Sequence, residues 1–111
     1  MPCNLSYLNR MSGGNKDFVR EMIRLFLKQA PQELEKLQHA LSGKELPKAK
    51  EVVHKMKSSA AMVGAEDMVA ELKDMETLVV AGAANIALSE AFSRLEQHFS
   101  EVRQELEPMV L

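Results

Sequence analysis

Residues 53–64 read VHKMKSSAAMVG, and this stretch sets the expected fold because its apolar residues return with the period of an α-helix. At about 100° per residue, they form one stripe that extends upstream of the stretch. A stripe of this kind is typical of a helix that packs on a core. It comprises Ala49, Val52, Val53, Met56, Ala60 and Val63.

His54 falls almost opposite this stripe, so its imidazole is expected to stand in water. A lone histidine on a solvated helix face most often has no function, and helical periodicity alone does not assign one. The composition of the face is more informative, since it carries lysines and small residues. The residues that share it, at helical offsets of three, four and seven, are Lys50, Glu51, Lys57, Ser58 and Ala61.

The rest of the chain predicts an all-α fold, because apolar residues keep the helical period and the breaks fall at Gly and Pro. Short loops should return each helix antiparallel to the one before it. We therefore predict an up-down-up-down four-helix bundle with a short extra N-terminal helix. The expected helices run from about Leu5 to Met11, from an N-cap at Asn15 through Pro31 to a stop at Gly43, from Pro47 to Gly64, from Glu66 to Val80, and from Asn85 or Ser89 to Glu107.

Composition indicates one domain over residues 1–111, with 46% hydrophobic residues and a net charge of −2. There is no basic block for nucleic acid and no apolar run for a membrane, so the expected partners are proteins. The single cysteine, Cys3, has no intramolecular partner and no neighbour at metal-ligand spacing. A reducing, cytoplasmic location without a metal site is the natural expectation.

The order of residues around His54 resembles the motif of histidine-containing phosphotransfer (HPt) domains, which reads H-x-x-K-G, then small residues, a hydrophobic residue and Gly. The opening of the chain, residues 13–31, is also similar to the family, so the resemblance covers nearly the whole chain. Ser58 departs from the motif, where most members have glycine. Its hydroxyl would crowd the site or donate a hydrogen bond to it, so we expect a tolerated variant in which the rate of phosphotransfer is the quantity affected. The matching positions are His54, Lys57, Ser59, Ala60, Val63 and Gly64.

The resemblance implies that His54 is the phosphoacceptor. Neutral imidazole offers a nucleophilic nitrogen near pH 7, and the phosphate it accepts stays reactive enough to be passed on. Lys57, one turn away on the same face, is the first candidate to stabilise the phosphoryl oxygens. Lys50 adds to the positive field, and Lys55 is less well aimed because it lies about 100° around the helix.

Other positions are expected around the site. Glu76, on the next helix, matches the place where family members often carry a glutamine or a carboxylate that accepts a hydrogen bond from the other ring nitrogen. An ordinary surface glutamate is the alternative for it. Ser58, Ala61 and Met62 would let a partner approach closely, and Gly64 is structural.

The chain lacks a glycine-rich nucleotide loop and an acidic cluster for Mg²⁺, so we expect a phosphocarrier without its own cofactor rather than an enzyme. By resemblance, the partners are receiver domains of response regulators, which would hold Mg²⁺, or a hybrid histidine kinase. The alternative is a scaffold that binds or sequesters such a domain without carrying phosphate. A complete small protein and one module of a longer kinase both fit this length.

Two further interpretations have less support. The phosphoacceptor region of a histidine kinase would need an acidic residue after the histidine and a nearby proline, which Lys55 and Ser58 do not match. A di-metal enzyme would need two Glu-x-x-His repeats, whereas residues 51–54 supply one. The remaining histidines are expected to have no chemistry, and the clustered acids are expected to lie on solvated helix faces. They are His39, His98, Glu33, Glu35, Glu101, Glu105 and Glu107.

Overall fold

A computed structural model of the protein describes residues 2–111. Within this range the chain is helical and has no β-strand, which confirms the predicted all-α class. None of the helices in this range combines the length and the apolar composition needed to cross a bilayer. The elements are α1 (Ser6–Met11), α2 (Lys16–Ser42), α3 (Leu46–Met62), α4 (Glu66–Val80), α5 (Asn85–Leu106) and a 3₁₀ turn (Glu107–Met109).

The starts of α2 and α3 carry local sequence signals that the structure bears out. The side chain of Asn15 accepts a hydrogen bond from the backbone N–H of Phe18 (3.1 Å), as expected for an N-cap. Pro47 lies in the first turn of α3, where its missing N–H would have no helical partner. Pro31 lies inside α2 without ending it. The predicted starts of the long helices are therefore confirmed.

The end of α2 differs from the prediction in one detail. Gly43 is the last residue before the turn, but its φ is −84°, and the left-handed conformation falls on Lys44 (φ 55°). The N–H of Lys44 bonds to the Leu41 carbonyl and that of Glu45 to the Ala40 carbonyl, which is the Schellman pattern. Gly43 was expected to end the helix, but the position that needs a left-handed conformation is the next one, Lys44.

We expect Lys44→Gly to stabilise the protein by about 0.5–1 kcal/mol, because glycine adopts positive φ without a Cβ penalty. The gain should appear as a higher midpoint in urea unfolding with an unchanged slope. Gly43→Ala is a useful comparison, since Gly43 has an ordinary φ. A midpoint for Lys44→Gly at or below that of the wild type would contradict this assignment.

The core lies between the four long helices, with neighbours along the chain packed together and α2 packed on α5. All six residues of the predicted α3 stripe are buried. The helical spacing of apolar residues on α4 and α5 also predicts an inward face for each, and these residues are buried: Met68, Leu72, Met75 and Val79 on α4, and Leu88, Phe92, Leu95, Phe99, Val102 and Leu106 on α5. On α2 the helical spacing of apolar residues predicts an inward face from Phe18 to Leu41, but the first residue of this face is not buried. Phe18 is 40% exposed, because the core formed with the other long helices reaches α2 only from Ile23 onward.

The N-terminal segment is also packed on the bundle. Cys3 is buried, and its backbone N–H donates to the Glu105 carboxylate of α5 (3.0 Å). Burial and the nearby charge of Glu105 raise the pKa of the Cys3 thiol to about 11, so the thiol stays protonated at neutral pH. The expectation that Glu105 is freely solvated is therefore wrong.

Candidate functional site

His54 lies near the middle of α3, with its side chain exposed to solvent. Its neighbours Val53 and Met56 are buried in the core and fix the rotation of the helix. The imidazole therefore points away from the core, on the side opposite the apolar stripe, and a partner has direct access to it.

Lys57 follows His54 by one helical turn on the same face, where Cβ atoms lie about 5–6 Å apart. Its side chain is half-buried, and Nζ donates to Oε1 of Glu76 on α4 at 3.2 Å. Within residues 2–111, the hydrogen bond from Lys57 is the one side-chain hydrogen bond that the Glu76 carboxylate accepts. The structure thus brings Glu76 to the site, in contact with the lysine; a bond to the imidazole is not formed.

The other two lysines have different surroundings. Lys50 is exposed one turn before His54 and shares its face. The Nζ of Lys55 donates to Oε1 of Glu33 on α2 at 3.1 Å, so its charge is already paired with a neighbouring helix. Glu33 is buried, with Lys36 3.8 Å away, so the prediction that it is solvated is wrong. A carboxylate facing two lysines on adjacent helices is withdrawn from water without losing its charge partners.

A second buried carboxylate lies on α4. Glu71 accepts a hydrogen bond from Nε of Arg94 on α5 (3.0 Å), and Nε2 of His98 lies 3.7 Å away. The exposed Glu101 is 3.7 Å from the other nitrogen of His98. This cluster joins α4 to α5 and leaves His98 in a structural contact. Nothing in helical periodicity signals it, because a buried acid and a solvated acid have the same residue type.

The small residues expected to allow close approach lie on the accessible surface. Ser58 and Ala61 are exposed and Met62 is half-buried. Ala61 also lines a groove of about 570 Å³ between the end of α3, the start of α4 and the short helix α1. Tyr7 and Arg10 of α1 line this groove, and sequence reasoning missed them because no pattern relates α1 to α3.

Gly64 makes the turn after α3 and has a φ of 65°. Its carbonyl accepts a hydrogen bond from the Asn4 backbone N–H at 3.0 Å. A Cβ at this position would overlap the Asn4 carbonyl oxygen and would lie 2.6 Å from its carbonyl carbon. Glycine is required here both for the left-handed turn and for the close approach of the N-terminal segment.

Among residues 2–111, no group of three His, Cys, Asp or Glu side chains is placed to hold a metal ion. His39 is exposed on α2 and lines a shallow groove together with Lys36 of α2 and Lys48 of α3. The arrangement that the structure does provide is a solvent-facing imidazole with an ammonium one turn away. Such a pair can present a nucleophilic nitrogen to a phosphoryl group and neutralise part of the charge that the group brings.

Comparisons with known proteins bear on the fold and the family of the chain. No protein of curated function matches the sequence. The X-ray structure of a rice protein assigned as a histidine-containing phosphotransfer protein has the same fold, with a TM-score of 0.79 at 21% identity, over 96% of this chain and 74% of the rice chain. The Hpt domain family matches residues 21–105. Because this match spans most of the chain, the protein belongs to the Hpt domain family.

Proposed function

We propose that this protein carries phosphoryl groups in a two-component phosphorelay, with His54 as the phosphorylated residue. Hpt domains are phosphotransfer carriers, which sets the class of reaction. The observation that carries the assignment to His54 is its exposed imidazole on α3, one turn from Lys57. His98 is half-buried near Glu71. His39, although exposed with Lys36 one turn before it, is not followed by the lysine and small residues that follow His54.

The proposed step is a direct transfer from an aspartyl phosphate. A neutral ring nitrogen of His54 attacks phosphorus, the N–P bond forms as the P–O bond to the aspartate breaks, and the aspartate leaves as a carboxylate. The other ring nitrogen keeps its proton during this step. Transfer to a second aspartate reverses these bond changes and regenerates neutral histidine, so the protein is unchanged after each cycle.

The proposed partners are receiver domains of response regulators, with a hybrid histidine kinase as a further source of the phosphoryl group. Mg²⁺ is expected on the receiver and no cofactor on this chain. Lys50 and Lys57 would face the acidic pocket of the receiver, and Ser58, Ala61 and Met62 would allow its surface to approach. Since Lys55 is paired with Glu33, we assign it a smaller share of the phosphoryl charge.

The direction of the helices is part of the proposal. Residues 43–45, 63–65 and 81–84 join the long helices, and each pair of consecutive helices packs side by side. Connections this short favour antiparallel neighbours, and hence an up-down-up-down bundle with α1 as the extra helix. A cytoplasmic location is also proposed, because a relay of this kind needs access to cytoplasmic receivers.

The experiment is a label transfer. The purified protein is mixed with Mg²⁺ and a receiver domain that carries labelled aspartyl phosphate, and we expect label to appear on the protein as acid-labile, alkali-stable phosphate. Binding of several phosphorylated receivers without any uptake of label would favour the alternative, a scaffold that sequesters its partner. That result would overturn the relay function.

Lys57→Met should lower the fraction of phosphorylated protein at equilibrium with a given receiver about ten-fold, since one charge-assisted hydrogen bond to the phosphoryl group is lost. Lys57→Arg keeps the charge and should recover part of the effect. Lys48→Met, at an exposed position in the first turn of α3, is the matched control and should behave as wild type. Equal loss in Lys57→Met and Lys48→Met would show only a general dependence on positive charge.

A further inference from the structure

The ion pair between Lys57 and Glu76 carries a second inference, which rests on the proposed function. We propose that Glu76 weakens the hold of the site on its phosphoryl group by competing for the ammonium of Lys57. Glu76 would then be a positioning residue that acts through the lysine, and it would keep the phosphorylated protein ready to pass the group on.

The contact has the geometry of a partly desolvated pair. Nζ of Lys57 and Oε1 of Glu76 are 3.2 Å apart, and the two side chains are 23% and 27% exposed. Pairs of this kind are screened less by water and salt than fully exposed ones. In the unphosphorylated protein, the lysine is therefore held toward α4.

Lys57 can reach either acceptor. Its ammonium has three N–H donors on a flexible stem, and one helical turn separates its Cβ from that of His54 by about 5–6 Å. A phosphoryl group on the imidazole carries more negative charge than one carboxylate and attracts the ammonium more strongly. Phosphorylation should thus draw Lys57 from Glu76 to the phosphoryl oxygens.

This exchange disfavours the phosphorylated state in two ways. The ion pair with Glu76 is lost, and the released carboxylate remains as an uncompensated negative charge near the phosphoryl group. Both effects oppose phosphorylation of His54 and favour onward transfer. A neutral side chain of the same shape at position 76 would remove both.

The test is Glu76→Gln, assayed by the equilibrium partition of phosphate between the protein and one receiver domain. We expect the partition to shift toward phosphohistidine roughly two- to five-fold, which corresponds to the loss of one ion pair of this exposure. In a Lys57→Met background, the same substitution should produce a smaller shift, because the ion pair is already absent and only the repulsion between the carboxylate and the phosphoryl group is removed. Asp74→Asn, at an exposed position on α4 two residues earlier, is the control for a general change of charge.

The possible outcomes distinguish a failure of this inference from a failure of the proposed phosphorelay function. If the wild type takes no phosphate, the proposed function fails and the inference falls with it. If the wild type is phosphorylated and Glu76→Gln has the same partition, the function stands and the competition is refuted. A shift of the same size in Lys57→Met as in the wild-type background would also refute it, because the lysine would then have no part in the effect. So would a lower phosphorylated fraction accompanied by a changed imidazole tautomer in ¹⁵N NMR spectra, because Glu76 would then act on the ring.

Discussion

His54→Gln is expected to take no phosphate from any receiver, while its far-UV circular dichroism and thermal midpoint match those of the wild type. Glutamine fills a similar volume and keeps a polar surface, but it has no nucleophilic ring nitrogen. Because His54 is exposed on α3, the change in the free energy of unfolding should stay within about 0.5 kcal/mol. Loss of label with an intact fold would assign the chemistry to this side chain.

The remaining histidines supply matched controls for this variant. His39→Gln is the cleaner of the two, because His39 is exposed on α2. His98→Gln removes a contact with Glu71, so its stability needs to be measured alongside its labelling. Both should accept phosphate as the wild type does. Label that persists on His54→Gln would overturn the assignment whatever the controls show.

Gly64→Ala should produce the largest loss of stability among the substitutions considered. The residue has a φ of 65°, and an added Cβ would meet backbone atoms of Asn4, which cannot rotate away as a side chain can. Backbone strain of about 1–3 kcal/mol and overpacking of similar size give an expected loss of about 2–4 kcal/mol. The thermal midpoint should fall by about 10 °C or more.

Gly82→Ala separates the two contributions to this loss. Gly82 has the same φ of 65°, but nothing lies within 4 Å of an added Cβ, so only the backbone strain applies. We expect it to lose about 1 kcal/mol. Equal midpoints for Gly64→Ala and Gly82→Ala would show that the approach of Asn4 to the turn contributes nothing. A larger loss for Gly64→Ala supports the packing of the N-terminal segment on this turn.

The sequence predicted the α3 region well because one physical signal dominates it. Six apolar residues at helical spacing fix which side of α3 meets the core, and all six are buried. Once that side is fixed, the exposed position of His54 follows. The turn at Gly64 is equally local, since only glycine adopts its backbone conformation without strain.

Contacts between helices were harder to predict, because they depend on how the helices rotate and on where long flexible side chains come to rest. The pairing of Lys55 with Glu33 is an example: the two residues belong to different helices, and Glu33 was expected in solvent. The pairing of Lys57 with Glu76 is another. The sequence predicted that Lys57 and Glu76 both lie near the site. It could not predict the ion pair between them, because that contact depends on how α3 packs on α4.

The most direct test of the account is to locate the phosphoryl group on the ¹⁵N-labelled protein after transfer from a phosphorylated receiver. The chain has three histidines, so long-range ¹H–¹⁵N spectra can follow each imidazole separately. We predict that the ring nitrogens of His54 alone shift and that one of them couples to ³¹P. Coupling to His39 or His98, or phosphate on the protein with all three rings unchanged, would contradict the central claim.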